Sequence, residues 1–290
     1  MPTRTYITVS DISICLATDH PLKESKAFLP FLTEETEPDI EAVFSATDSL
    51  PPLPHSPLFT DRAYRIGRDA AGNPQKFFFE IPEDPVHYAV STFDAAHGKI
   101  CVDYRPEYVR CVSELSNSFY HLGFEAILLQ RNRLCLHASC VRTHLGGLLF
   151  SGVSGIGKST QAELWCSTRG AEQINGDRPI LSCDDGRWLA WGSPYAGSSK
   201  YHVNASCPIT AIVLLAQADT CTVRRLSPAQ AFRGLWPGMT VHSWDPDFVA
   251  QASALTAGLA ADIPVYALSC TPDERAVTSL EDALAKEGRI

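Results

Sequence analysis

Apolar and polar side chains alternate over much of the first hundred residues. The alternating segments are short and are separated by clusters of Pro, Gly, Asp and Asn, a pattern typical of β-strands joined by turns. We interpret as strands residues 5–15, 42–46, 64–66, 76–81, 88–92 and 99–104. The pattern predicts an antiparallel, β-rich N-terminal domain over residues 1–105.

The spacing of the apolar positions changes at Pro106. From Tyr108 to Leu128, apolar side chains recur at intervals of three and four residues, which predicts one amphipathic helix that ends near Gln130. We interpret residues 106–130 as a connecting helix between an N-terminal and a C-terminal domain.

Strand-like and helical segments alternate after the connecting helix. Two apolar runs, residues 134–143 and 147–150, precede a glycine-rich segment. Helices are predicted to start at Ser227-Pro228 and at Thr271-Pro272, because each pair offers a capping hydroxyl followed by proline. Further strands are predicted at residues 180–183, 187–191, 211–215, 222–226 and 265–268. Residues 131–290 therefore form an α/β domain in this interpretation, and the whole chain is α+β.

Composition narrows the class of protein. The chain has 290 residues, of which 45% are hydrophobic and 20% charged, as in ordinary globular proteins. No apolar run approaches the roughly 20 residues that a membrane-spanning helix needs, and the alternating N-terminal segment resembles a strand rather than a signal peptide. The ten cysteines lack C-x-x-C spacing, which disfavours a metal site of that kind. We expect a cytoplasmic protein with reduced thiols and no membrane partner.

The net charge of −9 belongs to one half of the chain. Residues 1–130 contain 19 acidic and 10 basic side chains, whereas residues 131–290 contain 14 of each. An acidic surface repels phosphates, so we expect no nucleic-acid partner. We also expect the N-terminal domain to select a neutral or basic partner surface.

A glycine-rich loop is the strongest motif. Residues 152–160 have the sequence G-V-S-G-I-G-K-S-T and match G-x-x-x-x-G-K-[ST] at every fixed position. The motif follows an apolar strand, residues 148–150, and precedes a helix that Gly170 can end. In this context the loop amides surround a di- or triphosphate, Lys158 contacts the β and γ phosphates, and Ser159 offers a hydroxyl to Mg²⁺. A glycine turn that matches by chance is the other interpretation. The predicted nucleotide-binding residues are Gly152, Ser154, Gly155, Ile156, Gly157, Lys158, Ser159 and Thr160.

An acidic residue follows the loop at short spacing. Asp177 comes after Lys158 by one short helix and a returning strand, a path that brings its carboxylate back beside the loop. There it can bind Mg²⁺ or accept the proton of an attacking hydroxyl. Because G-D is also common in turns, a turn aspartate is the alternative. Asp184-Asp185 lies before Gly186 between two strands and is better explained as a hairpin turn.

Four motifs together resemble the C-terminal domain of HPr kinase/phosphorylase and its wider kinase-like relatives. They are L-H-A-S (136–139), the glycine loop, N-G-D-R (175–178) and G-S-P-Y-A-G-S-S (192–199). The resemblance covers residues 131–285. It implies a P-loop domain that shares its nucleotide fold with the ATP-dependent phosphoenolpyruvate carboxykinases, and a kinase that uses ATP and Mg²⁺. The implied acceptor is the hydroxyl of a peptide or protein serine, or of a small-molecule alcohol.

The resemblance also implies roles for single residues. His137 would lie near the transferred phosphoryl group, Asp177 and Arg178 would belong to the reacting site, and Asp177 would bind the metal with Ser159. Taken alone, His137 in its apolar run is better explained as a core histidine with a satisfied hydrogen bond, and only the resemblance gives the functional interpretation equal weight. The loop that contains Tyr195, Gly197, Ser198 and Ser199 suits a lip over the acceptor, or is a plain connection.

Two departures limit what the resemblance implies. Gly176 stands where the family has the first of two adjacent aspartates, so Asp177 carries both tasks or His137 takes the proton. No glycine- and arginine-rich segment follows, so a true HPr kinase/phosphorylase is not expected. The competing hypothesis is a catalytically weak ATP-binding regulatory or assembly protein. A hydrolysing ATPase is disfavoured, because no apolar strand runs into an Asp-Glu pair.

Overall fold

A tight hairpin begins the chain. Strands β1 (Thr3–Val9) and β2 (Ile12–Thr18) pair antiparallel, with Val9 opposite Ile12. Ser10 and Asp11 form the turn with φ of 53° and 59°, both in the left-handed region that a type I′ hairpin requires. The segment predicted as one strand, residues 5–15, is therefore two, because the polar Ser10-Asp11 pair reverses the chain.

The computed structural model describes residues 2–81, 86–94, 98–197 and 199–288. It divides the chain into two units, Met1–Phe124 (unit 1) and Glu125–Ile290 (unit 2). In the described residues, no helix is long and apolar enough to cross a lipid bilayer.

One mixed sheet organises unit 1. Its remaining strands are β3 (Leu32–Thr33), β4 (Ile40–Ala46), β5 (Phe59–Thr60), β6 (Tyr64–Arg68), β7 (Pro74–Phe78), β8 (Ala89–Asp94) and β9 (Lys99–Tyr104). The strand order is β3-β1-β2-β4-β9-β8-β7-β6-β5. The prediction of a purely antiparallel domain is wrong, because β4 pairs parallel with both β2 and β9.

The predicted connecting helix is broken. Residues 106–130 form a 3-10 turn (Pro106–Tyr108) and the short helices α1 (Val109–Val112), α2 (Leu115–Tyr120) and α3 (Phe124–Gln130). Ser113 and Leu115 exchange backbone hydrogen bonds with Lys23 instead of continuing the helix, at 2.7 and 3.0 Å. Gly123, with φ of 63°, makes the second break. The single long helix was therefore a wrong prediction, although its apolar positions are largely buried.

Unit 2 combines another mixed sheet with helices. Its strands are β10 (Arg133–Cys135), β11 (Ala138–Thr143), β12 (Gly146–Ser151), β13 (Glu172–Asn175), β14 (Ile180–Asp184), β15 (Arg187–Trp191), β16 (Ser206–Gln217), β17 (Thr222–Arg225) and β18 (Val265–Cys270). Its helices are α4 (Lys158–Arg169), α5 (Pro228–Leu235), α6 (Pro246–Asp262) and α7 (Glu274–Lys286). The predicted turn at Asp184-Asp185-Gly186 joins β14 to β15, with φ of 50° at Asp185 and 76° at Gly186.

Helices cover both faces of the central strands of unit 2. On β12, Leu148 and Phe150 are buried in a core with Trp165 of α4 and Leu280 of α7. Leu149 points to the opposite core, which α5 and α6 complete. Helix α6 was not predicted, although Asp245 caps it by accepting backbone hydrogen bonds at 3.0 and 3.2 Å. Central strands covered on both faces explain why residues 147–150 are continuously apolar.

The sheet of unit 2 bends so that β10 comes close to β11. The order along it is β10-β14-β15-β16-β12-β11-β13, with β18 beside β16. In a flat sheet β10 and β11 would lie about 24 Å apart at about 4.8 Å per strand. The chain between Cys135 and Ala138 spans at most about 11 Å. Residues 136–137 (the first link) and residues 176–179 (the second link, from β13 to β14) therefore bridge the same gap.

Candidate functional site

The glycine loop, residues 152–157, turns the chain from β12 into α4. Gly152, Gly155 and Gly157 have φ of 145°, 77° and 114°, backbone conformations that side chains with a Cβ rarely adopt. The strand, loop and helix occur in the predicted order, and Gly170, with φ of 63°, ends α4 as predicted. The loop thus ends on a helix N-terminus, whose backbone N–H groups carry partial positive charge.

Lys158 lies inside the curve of the loop. Its Nζ donates hydrogen bonds to the backbone oxygens of Gly152 and Val153, both at 3.2 Å, and the residue is 8% exposed. Burial lowers the pKa of Lys158, and Arg178 lowers it further, whereas Asp177 acts in the opposite direction. The ammonium is held by weak carbonyl partners that a phosphate oxygen can replace.

The two links bring His137 and Asp177 together. Ala138 N donates to Asp177 O at 2.9 Å, and Ser139 Oγ donates to Gly176 O at 3.1 Å, so the links lie side by side. His137 Nε2 is 3.2 Å from Asp177 Oδ1, and the two side chains are 29% and 28% exposed. His137 is therefore a partly exposed partner of Asp177, and the interpretation as a core histidine is wrong.

The protonation of His137 follows from its neighbours. Burial is the largest effect that lowers its pKa, the Lys158 and Arg178 charges lower it further, and Asp177 opposes them. The imidazole is accordingly neutral at pH 7. A carboxylate only accepts hydrogen bonds, so Nε2 carries the proton and Nδ1 keeps a lone pair.

Arg178 flanks Asp177 on the other side. Its Nε lies 3.7 Å from Asp177 Oδ2, and its Nη1 donates to Thr240 Oγ1 at 2.7 Å. Asp177 is thus held between an imidazole and a guanidinium. The predicted catalytic residues His137, Asp177, Arg178 and Lys158 interact electrostatically as one group.

Asn175 shapes the second link, and its role was not predicted. Its Oδ1 accepts hydrogen bonds from the backbone N of Asp177 at 2.9 Å and of Arg178 at 2.7 Å. Its Nδ2 donates to Ser193 O at 3.0 Å, and the residue is fully buried. The signal was present in the motif N-G-D-R, because asparagine commonly hydrogen-bonds the backbone two residues ahead in such turns.

The loop of residues 195–199 (the acceptor loop) packs against the second link. A Cβ on Gly197 would lie 2.9 Å from Asp177 Cγ, so only glycine allows this approach. A Cβ on Gly176 would lie 1.9 Å from Ser199 Oγ, so the Ser199 side chain fills that space. Tyr195 contributes its backbone oxygen, 3.4 Å from Asn175 Nδ2. The predicted Ser198 lies outside the described residues.

The other predicted loop residues take different environments. Ser154 and Ser159 are exposed, and Ile156 packs on the core beneath α4. Gly155 and Thr160 line a cavity on the loop. Among the described residues, no three His, Cys, Asp or Glu side chains form a metal cluster. A cation here would need ligands beyond these side chains.

Comparison with known proteins is limited. No protein-family model and no curated protein matches this chain. The solved structure of the HPr(Ser) kinase/phosphatase from Coxiella burnetii is similar over 53% of this chain and 90% of its own, with 13% sequence identity and a TM-score of 0.32. This likeness is weak and carries no information about the chemistry of the site.

Proposed function

We propose that the protein is an ATP- and Mg²⁺-dependent kinase that transfers a phosphoryl group to a hydroxyl. The observation that carries the proposal is the His137–Asp177 pair, with Nε2 and Oδ1 3.2 Å apart, in electrostatic contact with Lys158 of the glycine loop. Phosphoryl transfer depends mainly on positioning and charge neutralisation, together with a group that accepts the proton of the attacking hydroxyl. The cations Lys158 and Arg178 would neutralise charge, and the Asp177 carboxylate or the His137 imidazole would accept the proton.

The glycine loop would bind the phosphates. Its left-handed glycines free backbone N–H groups, α4 adds its partial positive charge, and Lys158 would exchange its carbonyl partners for phosphate oxygens. Arg178, 40% exposed, offers a second cation on the far side of Asp177. The polyphosphate would thus meet positive charge from two directions.

The oxygen ligands in the site suit Mg²⁺. The exposed Ser159 hydroxyl and the Asp177 carboxylate are hard oxygen donors, and Mg²⁺ usually takes few protein ligands and completes its shell with phosphate and water. Ser159 and Asp177 would hold it. When bound, Mg²⁺ neutralises charge on the phosphates.

The transfer step needs a proton acceptor. The acceptor oxygen forms a bond to the γ-phosphorus as the bond to the β–γ bridging oxygen breaks, and the hydroxyl proton moves to Asp177 or to the Nδ1 lone pair of His137. The charges of Arg178 and Lys158 favour the neutral imidazole of His137. The acceptor loop, in contact with Asp177 through Gly197, would form the lip over the acceptor.

The test is a transfer assay with matched variants. The protein is incubated with γ-labelled ATP, Mg²⁺ and a panel of serine peptides and small alcohols, and labelled products are separated. Lys158→Ala and Asp177→Asn should each lower product formation at least about a hundredfold. Lys286→Ala and Asp185→Asn remove similar groups outside the site and should leave the rate unchanged.

The alternative is a nucleotide-binding regulatory protein. Gly176 and the Ser199 side chain that fills its space leave Asp177 without an adjacent carboxylate. Tight ATP binding that requires Lys158, with no transfer to any acceptor in the panel, would favour this function and contradict the kinase. Absence of ATP binding would contradict both.

A further inference from the structure

A cavity adjoins the glycine loop. It has a volume of about 560 Å³, within the range of small-molecule sites, and is lined by the loop, α4 and the ends of β16 and β18. His137, Asp177 and Arg178 do not line it. The cavity therefore lies outside the group of catalytic candidates but touches the same loop, through Gly155 and Gly157.

Apart from the glycine loop itself, the lining of the cavity is unsuited to phosphate. Its described residues include neither lysine nor arginine, and its charged residue is Asp219. Ile156, Leu215 and Pro272 give it apolar walls. A flat, uncharged group joined to a polyphosphate fits this composition, because its phosphates would lie on the loop and its ring against the apolar walls.

Gln161 lines this cavity and has a buried amide oxygen, Oε1, without a hydrogen-bond partner among the described residues. The residue is 3% exposed. Its Nε2 donates to Cys270 Sγ, at 3.4 Å, and sulfur is a weak acceptor. A buried amide oxygen is normally hydrogen-bonded, so an unpaired one in a cavity wall indicates a missing donor.

We propose that this cavity binds the base of a nucleotide and that Gln161 selects adenine over guanine. The proposal rests on the proposed function, because the glycine loop must hold the phosphates. Adenine presents the N6 amino group beside the N7 acceptor, the pair that a glutamine amide recognises with Oε1 and Nε2. Rotation about the terminal side-chain bond, which is soft, turns both atoms to the base.

Guanine lacks the complementary pattern. It presents two acceptors, O6 and N7, on the same edge, so Oε1 would face another oxygen and remain unpaired. Leaving a buried acceptor unpaired is the usual source of strong discrimination between similar ligands. Inosine triphosphate has O6 in place of the N6 amino group, and 7-deaza-ATP lacks the N7 acceptor, so each probes one bond.

The experiment is calorimetric titration of the full chain with Mg²⁺ complexes of ATP, inosine triphosphate, 7-deaza-ATP and inorganic tripolyphosphate. ATP should bind about tenfold or more tightly than inosine triphosphate, with 7-deaza-ATP between them. Gln161→Met should reduce the ratio of the two affinities to about one and leave tripolyphosphate binding unchanged. Gln173→Met is the matched control, because Gln173 is also buried with an unpaired Oε1 but does not line the cavity.

The outcomes separate the two proposals. Equal affinities of the wild-type protein for ATP and inosine triphosphate, with tripolyphosphate bound, would overturn the adenine site and leave the phosphate site standing. Failure to bind either ATP or tripolyphosphate would overturn the proposed function itself. The wild-type comparison needs no substitution, so a poorly folded Gln161→Met variant does not prevent the decision.

Discussion

Replacing Asn175 with alanine tests how the second link is held. The substitution removes the Oδ1 that accepts from the backbone N of Asp177 and Arg178 at 2.9 and 2.7 Å, and the Nδ2 that donates to Ser193 O. Each lost hydrogen bond costs about 1 kcal/mol net, and a buried group left unpaired costs about 1–3 kcal/mol. With the N–H groups partly reached by water, we expect unit 2 to lose about 2–4 kcal/mol of unfolding free energy.

Tryptophan fluorescence is the assay, because all five tryptophans lie between residues 165 and 244 and report on unit 2 alone. In urea the midpoint should fall by about 1–2 M, given a slope of about 2 kcal/mol per M. Glu163→Ala, on the exposed surface of α4 in unit 2, is the control and should change stability by less than about 0.5 kcal/mol. A change as small as that for Asn175→Ala would refute the assigned role.

Other substitutions test the packing and protonation of the site. Gly176→Ala should distort the acceptor loop and lower the rate of phosphoryl transfer at least about tenfold. Because the Ser199 side chain fills the space that a Cβ at position 176 would need, adding Ser199→Gly should restore most of the rate. A double variant no faster than the single variant would contradict this packing. Gly197→Ala should displace the Asp177 carboxylate and lower transfer while ATP still binds in titration calorimetry; an unchanged rate would contradict the contact. The pKa of His137 is lower in the folded protein than in the unfolded chain, so the unfolded chain binds a proton at His137 first as the pH falls below about 6.5. The free energy of unfolding should therefore decrease below about pH 6.5. Denaturation curves of His137→Gln should lack the part of this decrease that His137 causes. An NMR titration that gives His137 a pKa above 6.5 would invalidate the assigned neutral form.

Local motifs were predicted well from the sequence. The strand, glycine loop and helix around Lys158, the helix end at Gly170 and the turn at Asp185-Gly186 all depend on residues close together in the chain. Each is determined by glycine conformations and capping, which a single sequence displays directly. At these three motifs the structure agrees with the prediction from the sequence.

Non-local features were not predicted. The apolar run at residues 134–143 gives no sign that it divides at His137 into strands that lie five positions apart in the sheet. Helix α6 was not predicted despite its Asp245 cap, because apolar and polar residues along its sequence are not clearly separated onto two faces. Likewise, the parallel pairing of β4 and the interruption at Ser113 depend on partners far away in the sequence.

The contact between His137 and Asp177 has a consequence for the order of folding. The glycine loop joins neighbouring elements and can form early, whereas the two links adjoin only when the sheet closes, after long loops have been ordered. The phosphate-binding half of the site is thus a product of local folding and the proton-accepting half a product of global closure. In partial unfolding, amide protons of the links should exchange with solvent before those of α4.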